Sequence, residues 1–265
     1  MAQRTSYTQG TPNWVDLQTT DQDAAKAFYG QLFGWRYDDM PMPQGSVYSM
    51  AVQDDGFVAA IAPQSPELAA QGVPPTWYCY LAVDDVDAAA ALVEPAGGKL
   101  LMAPFDVMEA GRMTVALDPT GAAVALWQAD QHIGATRVGD PGAMVWHELR
   151  TGDEAAAVAF YRQVLGLTTG TMDFGEGAYT VFTSGEDPVA GVTAAPAGVP
   201  SHWHVYFAVE DAYDAARRAS ELGGTVVTEP MDTPIGAMAM LRDPQGGAFS
   251  IFAPNPATDT GDTIE

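Results

Sequence analysis

The stretch Trp14–Trp35, WVDLQTTDQDAAKAFYGQLFGW, returns later in the chain as Trp146–Leu167, WHELRTGDEAAAVAFYRQVLGL. Alignment of the two copies places Asp16 on Glu148, Trp14 on Trp146 and one AFY on the other, all at a single offset. Self-similarity of this length at a fixed offset indicates an internal duplication.

Each copy is predicted to form a strand and then a capped helix. The run Trp14–Gln18 alternates apolar and polar residues, as a half-buried strand does. Asp21 is a typical N-cap residue before helical residues 24–33, and Gly34 follows them where left-handed C-caps are common. We expect Phe28 and Tyr29 to pack in the core, because the apolar helix positions recur every three to four residues.

Two further pairs of segments repeat in the same order. Pro74–Val93 matches Val199–Ala219, and Leu117–Trp127 matches Arg242–Phe252. Each half also repeats within itself a strand, an Asp-containing turn and an Ala-rich helix, followed by short strands between Gly, Pro and Asp. The chain is therefore predicted to hold four βαβββ units. The expected order is a flexible N-terminus (1–10), a first domain (11–129), a linker (130–142), a second domain (143–254) and a disordered acidic tail (255–265).

This order of elements resembles the vicinal oxygen chelate superfamily, which includes glyoxalases, bleomycin resistance proteins and extradiol dioxygenases. The specific marks are the AFY helix followed by Leu-Gly or Phe-Gly, the VDD or VED turn, and the Asp-Pro-x-Gly turn before the last strand. The resemblance implies an α+β fold with two tandem glyoxalase-like domains. In each domain, a pair of βαβββ units would form a U-shaped cup of eight strands.

Charge and composition limit the partners. A net charge of −23, with only 11 Lys and Arg, argues against nucleic acid and acidic membrane surfaces, because both need a basic surface. The single cysteine, Cys79, cannot form an internal disulfide. No run approaches the roughly 20 apolar residues of a membrane helix, and the first residues have no signal-peptide core. We therefore expect a cytoplasmic protein.

The metal site that the resemblance implies can be compared with this sequence position by position. Metal enzymes of the superfamily take ligands from the first, fifth and last strands of the cup, and few of the matching residues here could bind a divalent ion. Only His204 could, so we expect no metal and no other cofactor. A rearranged site of His202, His204 and Glu148 stays open as an alternative. The matching positions hold Trp14, Tyr78 and Ala125 in the first domain and Trp146, His204 and Ser250 in the second.

Aromatic residues and one carboxylate are expected to line each cup instead. Side chains two residues apart lie on one face of a strand, so Trp14 and Asp16 share a face in the first domain, as Trp146 and Glu148 do in the second. Aromatic walls suit a flat or apolar organic ligand. The predicted ligand-binding residues are Trp14, Tyr78, Tyr80, Trp127, Trp146, His204, Tyr206, Ser250 and Phe252, with Asp16 and Glu148 as candidate bases.

Three functions fit these residues. The first is metal-independent binding of a small apolar or aromatic molecule, similar to the antibiotic-sequestering members of the superfamily. The second is a lyase, isomerase or hydroxylase-like enzyme of secondary or aldehyde metabolism, with Asp16 or Glu148 as general base. The third is an interaction protein whose cups are plugged by their own tryptophans. Signatures such as GxGxxG, the P-loop and GxSxG are absent, and either a monomer or a homodimer is plausible.

Overall fold

The computed structural model describes residues 3–42, 45–173 and 177–255. The first domain contains β1 (Pro12–Thr19), α1 (Gln22–Phe33), β2 (Arg36–Pro41), β3 (Val47–Gln53), β4 (Gly56–Pro63), α2 (Pro66–Ala70), β5 (Thr76–Ala82), α3 (Val86–Val93), β6 (Lys99–Val107), β7 (Gly111–Leu117) and β8 (Ala123–Ala129). The second contains β9 (Met144–Thr151), α4 (Glu154–Leu165), β10 (Thr168–Asp173), β11 (Ala178–Ser184), β12 (Asp187–Ala194), β13 (His202–Ala208), α5 (Ala212–Glu221), β14 (Thr225–Thr233), β15 (Gly236–Arg242) and β16 (Ala248–Pro254).

Each domain forms one mixed sheet of eight strands. The strand order is β2-β3-β4-β1-β5-β8-β7-β6 in the first domain and β10-β11-β12-β9-β13-β16-β15-β14 in the second. The two units of a domain meet where β1 pairs antiparallel with β5, or β9 with β13. The α+β fold with two tandem pairs of βαβββ units is therefore confirmed, and we call the faces that carry Asp16 and Glu148 the first cup and the second cup.

The helices begin and end as their sequences predict. The side chain of Asp21 accepts a hydrogen bond from the backbone N–H of Ala24 at the start of α1, and Gly34 ends the helix with φ of 76°. Asp153 and Gly166 do the same for α4. These are the longest helices that the structure describes, and no helix within its ranges is long and apolar enough to cross a membrane.

The repeat pattern counts the edge strands within the βαβββ units without locating them, and it does not predict α2. Strands β2 and β6 lie at the edges of the first sheet, where most of their side chains are exposed. An edge strand has one unpaired side and weak hydrophobic alternation, so its sequence gives little periodic signal. Helix α2, which lies outside the predicted units, has five residues and no buried side chain.

Helices α1, α3, α4 and α5 pack between the two sheets and join the domains. α1 of the first domain contacts α5 of the second, and α3 contacts α4. Phe28 and Tyr29 are buried, as predicted, and both rings contact Phe249 of the second domain. Each hydrophobic core consequently contains residues from both halves of the chain.

Two matching hydrogen-bond chains cross between the domains in this layer. The indole N–H of Trp77 donates to the hydroxyl of Tyr29 (3.1 Å), which donates to the carboxylate of Asp243 in the other domain (3.0 Å). In the second copy, Trp203 donates to Tyr161 (2.8 Å), and Tyr161 donates to Asp118 (3.2 Å). Both aspartates belong to the Asp-Pro-x-Gly turns. Each domain therefore donates a hydrogen bond to the turn aspartate of the other domain.

The segments expected to be flexible or connecting make specific contacts. Gln9, in the segment expected to be flexible, donates through its side chain to the carbonyl of Leu165, and Gly10 donates to the carbonyl of Ala82. In the linker, the backbone N–H of Ala135 donates to the carbonyl of Asn13. Of the predicted disordered tail, residues 256–265 lie outside the described residues.

The interdomain chains give a test of stability. Replacement of Tyr29 or Tyr161 by Phe removes one hydroxyl and leaves a buried indole N–H and a buried carboxylate oxygen without their partner. We expect each variant to lower the free energy of unfolding by about 1–3 kcal/mol, measured by denaturant unfolding.

The control is Tyr213→Phe, because the Tyr213 side chain is 51% exposed. We expect it to stay within about 0.5 kcal/mol of wild type. Equal stabilities for the three variants would show that the interdomain chains do not stabilise the fold.

Candidate ligand-binding site

The strand register brings the predicted residues of the first cup together. Trp14 lies directly opposite Tyr80, and Asp16 lies opposite Tyr78 across the β1–β5 pair. Opposite residues of an antiparallel pair share a face of the sheet. The hydroxyl of Tyr80 donates to Asp16 Oδ2 at 2.6 Å, and the Trp127 ring contacts that of Tyr80.

The second cup has the same plan. Glu148 lies opposite His204 and Trp146 lies opposite Tyr206 across the β9–β13 pair. Tyr206 is aligned with Ser250 of β16, and Phe252 follows two residues later on the same face. The predicted residues therefore gather on one face in each domain, whereas their roles in binding or catalysis stay predictions.

Each cup also uses a tyrosine that the sequence prediction missed. In the first cup, Trp14 Nε1 donates to the hydroxyl of Tyr48 (2.8 Å), which donates to Asp16 Oδ2 (3.1 Å). In the second, Trp146 Nε1 donates to Tyr179 (3.0 Å), which donates to Glu148 Oε1 (2.9 Å). Tyr48 and Tyr179 occupy equivalent positions in β3 and β11, so a closer alignment of the repeats could have found them.

The carboxyl group of the first cup has no cationic partner among the described residues. Asp16 is 2% exposed and accepts hydrogen bonds from Tyr80 and Tyr48 through Oδ2, while its buried Oδ1 has no hydrogen-bond partner among the described residues. Burial raises the pKa of Asp16 to about 6, although the two tyrosine hydroxyls oppose the shift. This carboxyl group can therefore change its charge near neutral pH.

The carboxylate of the second cup is paired with a cation. Arg150 Nε lies 2.8 Å from Glu148 Oε2, and Arg150 Nη2 donates to the hydroxyl of Tyr206 at 3.0 Å. Tyr206 also donates to Glu148 Oε2 at 3.2 Å. Burial raises the pKa of Tyr206 to about 12, so its hydroxyl keeps its proton at neutral pH. In the first cup, Gln18 stands in place of Arg150, so this ion pair distinguishes the two cups.

A glycine makes room for the tyrosine of the second cup. A Cβ atom added to Gly191 would lie 1.7 Å from the hydroxyl oxygen of Tyr179 and 3.1 Å from Trp146 Nε1. Gly191 pairs with Glu148, and the equivalent partner of Asp16 in the first domain is Ala60. The Trp146–Tyr179–Glu148 chain thus depends on the absence of a side chain at residue 191.

The linker fills the first cup. The His132 ring packs edge-on against Trp14, with ring centroids 4.7 Å apart, and also contacts the rings of Trp127 and Phe57. Trp127 Nε1 donates to the carbonyl of His132 at 2.8 Å, which holds this part of the linker in place. Trp14, Trp127 and Asp16 are all buried.

The second cup instead contains a cavity of about 410 Å³. Its walls are mainly apolar, and its polar groups are Glu148, Tyr179, Tyr206 and Thr233. A volume of this size is within the usual range of small-molecule sites. The lining residues are Val145, Trp146, Glu148, Met172, Tyr179, Tyr206, Thr233, Pro234, Ile235, Met238 and Phe252.

The residues that could ligate a metal do not converge. Within the described ranges, no three His, Cys, Asp or Glu side chains are placed to hold an ion. In the alternative set, Glu148 pairs with Arg150, His204 Nε2 lies 2.8 Å from the Ser250 hydroxyl, and His202 Nδ1 lies 2.9 Å from a backbone carbonyl. This donor set does not fit the metal site of the superfamily.

Comparison with known proteins settles the family. The sequence profile of the Glyoxalase/Bleomycin resistance protein/Dioxygenase superfamily matches residues 11–126 and 143–251. The chain belongs to this superfamily. The two matches coincide with the two sheets, so the resemblance found in the sequence is confirmed over both domains.

Similar proteins extend over nearly the whole chain. It is 54% identical over 260 residues to the Mycobacterium tuberculosis protein named "Putative glyoxylase CFP32", covering 97% of this chain and 99% of that protein. It is 40% identical over 259 residues to "Anthracycline biosynthesis protein DnrV" of Streptomyces peucetius, covering 93% and 94%. Both alignments therefore extend across the two domains of this chain.

Solved structures share the fold at much lower identity. The Mn(II)-bound glyoxalase from Novosphingobium aromaticivorans aligns with a TM-score of 0.63 at 19% identity, covering 93% of this chain and 83% of its own. The 2,3-dioxygenase LapB from Pseudomonas sp. KL28 aligns with a TM-score of 0.64 at 15% identity, covering 93% of each chain. Identities this low establish the architecture alone.

The isolated carboxyl group of the first cup should make stability depend on pH. Because its pKa is raised to about 6, folded Asp16 holds a proton below that pH, while the unfolded chain releases it near its ordinary value. The stabilisation is full at low pH and is lost as the pH rises through about 6. Between about pH 5 and about pH 7.5, the free energy of unfolding of wild type should fall by about 1 kcal/mol relative to that of Asp16→Asn.

Denaturant unfolding of both proteins at the two pH values measures this change. The Asn side chain keeps an oxygen that can accept hydrogen bonds from Tyr48 and Tyr80 but does not titrate. The comparison therefore separates the effect of protonation from that of hydrogen bonding. A stability difference that stays constant with pH would contradict the assignment.

Proposed function

We propose that the second cup binds a flat, largely apolar organic molecule without the help of a metal ion. The observation that carries this proposal is the cavity of about 410 Å³ beside Trp146 and Glu148. The equivalent place in the first cup is filled by His132, so one ligand per chain is expected. The donor set around the cavity also gives no support to a metal-bound ligand.

The physical basis is burial of an aromatic surface. Trp146 and Phe252 line the cavity with Met172, Ile235 and Met238. Each ring can add about 0.5–1.5 kcal/mol to the burial of a flat ligand. Glu148 and the two tyrosines form a single polar end, which would fix the orientation of the ligand in the cavity.

The names of the relatives suggest which compounds to test. One relative that aligns over nearly all of its length is named for anthracycline biosynthesis, and anthracyclines have a flat polycyclic aromatic core. Another is named as a glyoxylase. Of these two chemistries, the wide apolar cavity favours the polycyclic aromatic compound.

Calorimetric titration with an anthracycline aglycone tests the proposal. We expect one molecule to bind per chain, and Ile235→Asp to weaken binding at least about tenfold, because it places a charge against the apolar ligand. Ile235 lines the cavity from the turn between β14 and β15 and is 38% exposed, so the substitution should leave the fold intact.

The matched control is Met108→Asp, in the equivalent turn between β6 and β7, where the side chain is 74% exposed. It should bind the aglycone as wild type does. Absence of binding by wild type to this compound and to smaller aromatic probes would refute the proposal, as would an equal loss in both variants.

Catalysis in the same cavity is the second candidate, because Glu148 faces the bound molecule together with two tyrosine hydroxyls. A general base must reach its substrate and must accept a proton near neutral pH. Asp16 is 2% exposed and does not line the cavity, whereas Glu148 reaches the cavity but is paired with Arg150. Neither carboxylate combines access to the cavity with the absence of a cationic partner, which favours binding over catalysis.

Product analysis separates these candidates. After incubation with the protein, we expect the aromatic ligand to be recovered unchanged when the mixture is analysed by mass spectrometry. A product that forms with wild type and with Asp16→Asn, but not with Glu148→Gln, would establish Glu148 as a catalytic base and replace the binding proposal.

Two further expectations stay predictions. They are a cytoplasmic location and the choice between a monomer and a homodimer. The interdomain layer buries the helices that a single domain would leave exposed, which supports the monomer. Sedimentation of the purified chain would decide the oligomeric state.

A further inference from the structure

The hydrogen-bond donors at the polar end of the second cup all form hydrogen bonds within the protein. The indole N–H of Trp146 donates to Tyr179, and the hydroxyl of Tyr179 donates to Glu148 Oε1. The hydroxyl of Tyr206 donates to Glu148 Oε2. None of these three hydrogens is free to meet a ligand unless an internal hydrogen bond breaks.

The remaining polar side chain of the cavity is committed as well. The hydroxyl of Thr233 donates to the carbonyl of Gly236 at 2.6 Å. Arg150 has further N–H groups, but it is not among the residues that line the cavity. The described lining residues therefore offer a ligand acceptor atoms, chiefly the carboxylate oxygens of Glu148, and no uncommitted side-chain donor.

Arg150 determines the charge at this polar end. Its guanidinium pairs with Glu148 and also donates to Tyr206, so one positive and one negative charge balance beside the cavity. The side chains of both charged residues are largely buried, which makes an unbalanced charge costly. The first cup has the uncharged Gln18 at this position, so it has no equivalent of the ion pair between Arg150 and Glu148.

From this arrangement we infer that the second cup selects an uncharged aromatic ligand with a hydroxyl group that donates to Glu148, and that Arg150 is the specificity-determining residue that excludes cations. The inference rests on the proposed function and narrows its ligand class. A ligand with only acceptor groups would leave those groups buried without a donor. An anion would face Glu148 directly, and an ammonium ion would add a positive charge beside Arg150.

Four naphthalene probes of similar size test the donor rule by calorimetry on the full chain near neutral pH. They are 2-naphthol, 2-methoxynaphthalene, 2-naphthoate and 2-naphthylmethylammonium. We expect 2-naphthol to bind at least about tenfold more tightly than each of the other three, because it alone is neutral and donates a hydrogen bond.

Arg150→Gln tests the charge rule, because it gives the second cup the residue of the first. The ratio of affinities for the ammonium probe and for 2-naphthol should rise at least about tenfold in this variant. Arg150→Lys keeps a cation and should retain the wild-type order of preference. If the role of Arg150 were purely structural, Arg150→Gln would lower the affinity for all probes equally and leave the ratio of the ammonium and 2-naphthol affinities unchanged.

Each outcome separates the inference from the proposed function. If none of the probes and no aglycone binds, the proposed function fails and the inference falls with it. If the methoxy compound or the naphthoate equals 2-naphthol, the function stands and the donor rule is wrong. An unchanged ammonium-to-naphthol ratio in Arg150→Gln, or failure of that variant to fold together with a changed order in Arg150→Lys, would overturn the role of Arg150.

Discussion

The hydrogen bonds from Tyr29 to Asp243 and from Tyr161 to Asp118 are the contacts on which the rest of the architecture depends. Each joins a helix of one domain to the last turn of the other, and each lies in a layer with almost no access to water. Burial of a carboxylate is costly unless hydrogen bonds compensate for the lost water. The two domains are consequently fixed against each other by buried hydrogen bonds as well as by apolar packing.

Duplication has led to two cups with the same frame and different contents. Both retain the chain from tryptophan through tyrosine to a carboxylate, which holds the carboxylate in position whatever occupies the cup. In the first, a linker side chain occupies the space, and Gln18 stands where the second cup has Arg150. In the second, the space is open and Arg150 accompanies Glu148. The frame thus belongs to the fold, whereas the occupant and the counter-charge differ between the copies.

The sequence predicted much of this architecture because duplication made its signals appear twice. The helix caps, the buried Phe28 and Tyr29 and the shared faces of the central strands follow from local chemistry and from strand and helix periodicity. Edge strands such as β2 were counted in the βαβββ units but could not be located, since exposure removes the alternation of apolar and polar residues. The roles of Tyr48 and Tyr179 were not predicted, because their contacts join strands that are distant in sequence. The role of His132 was not predicted, because a polar, Gly-containing linker gives no local sign that it enters a cup.

The place of His132 in the first cup has a consequence for how this chain can change. Connections between domains usually tolerate added residues, because a surface loop can lengthen at little entropic cost. Here the connection carries a ring that packs against Trp14 and Trp127, and its backbone is hydrogen-bonded on both sides of that ring. Inserted or deleted residues would move the His132 ring away from the two tryptophans. The length of this connection is therefore constrained by packing, as the size of a core side chain is.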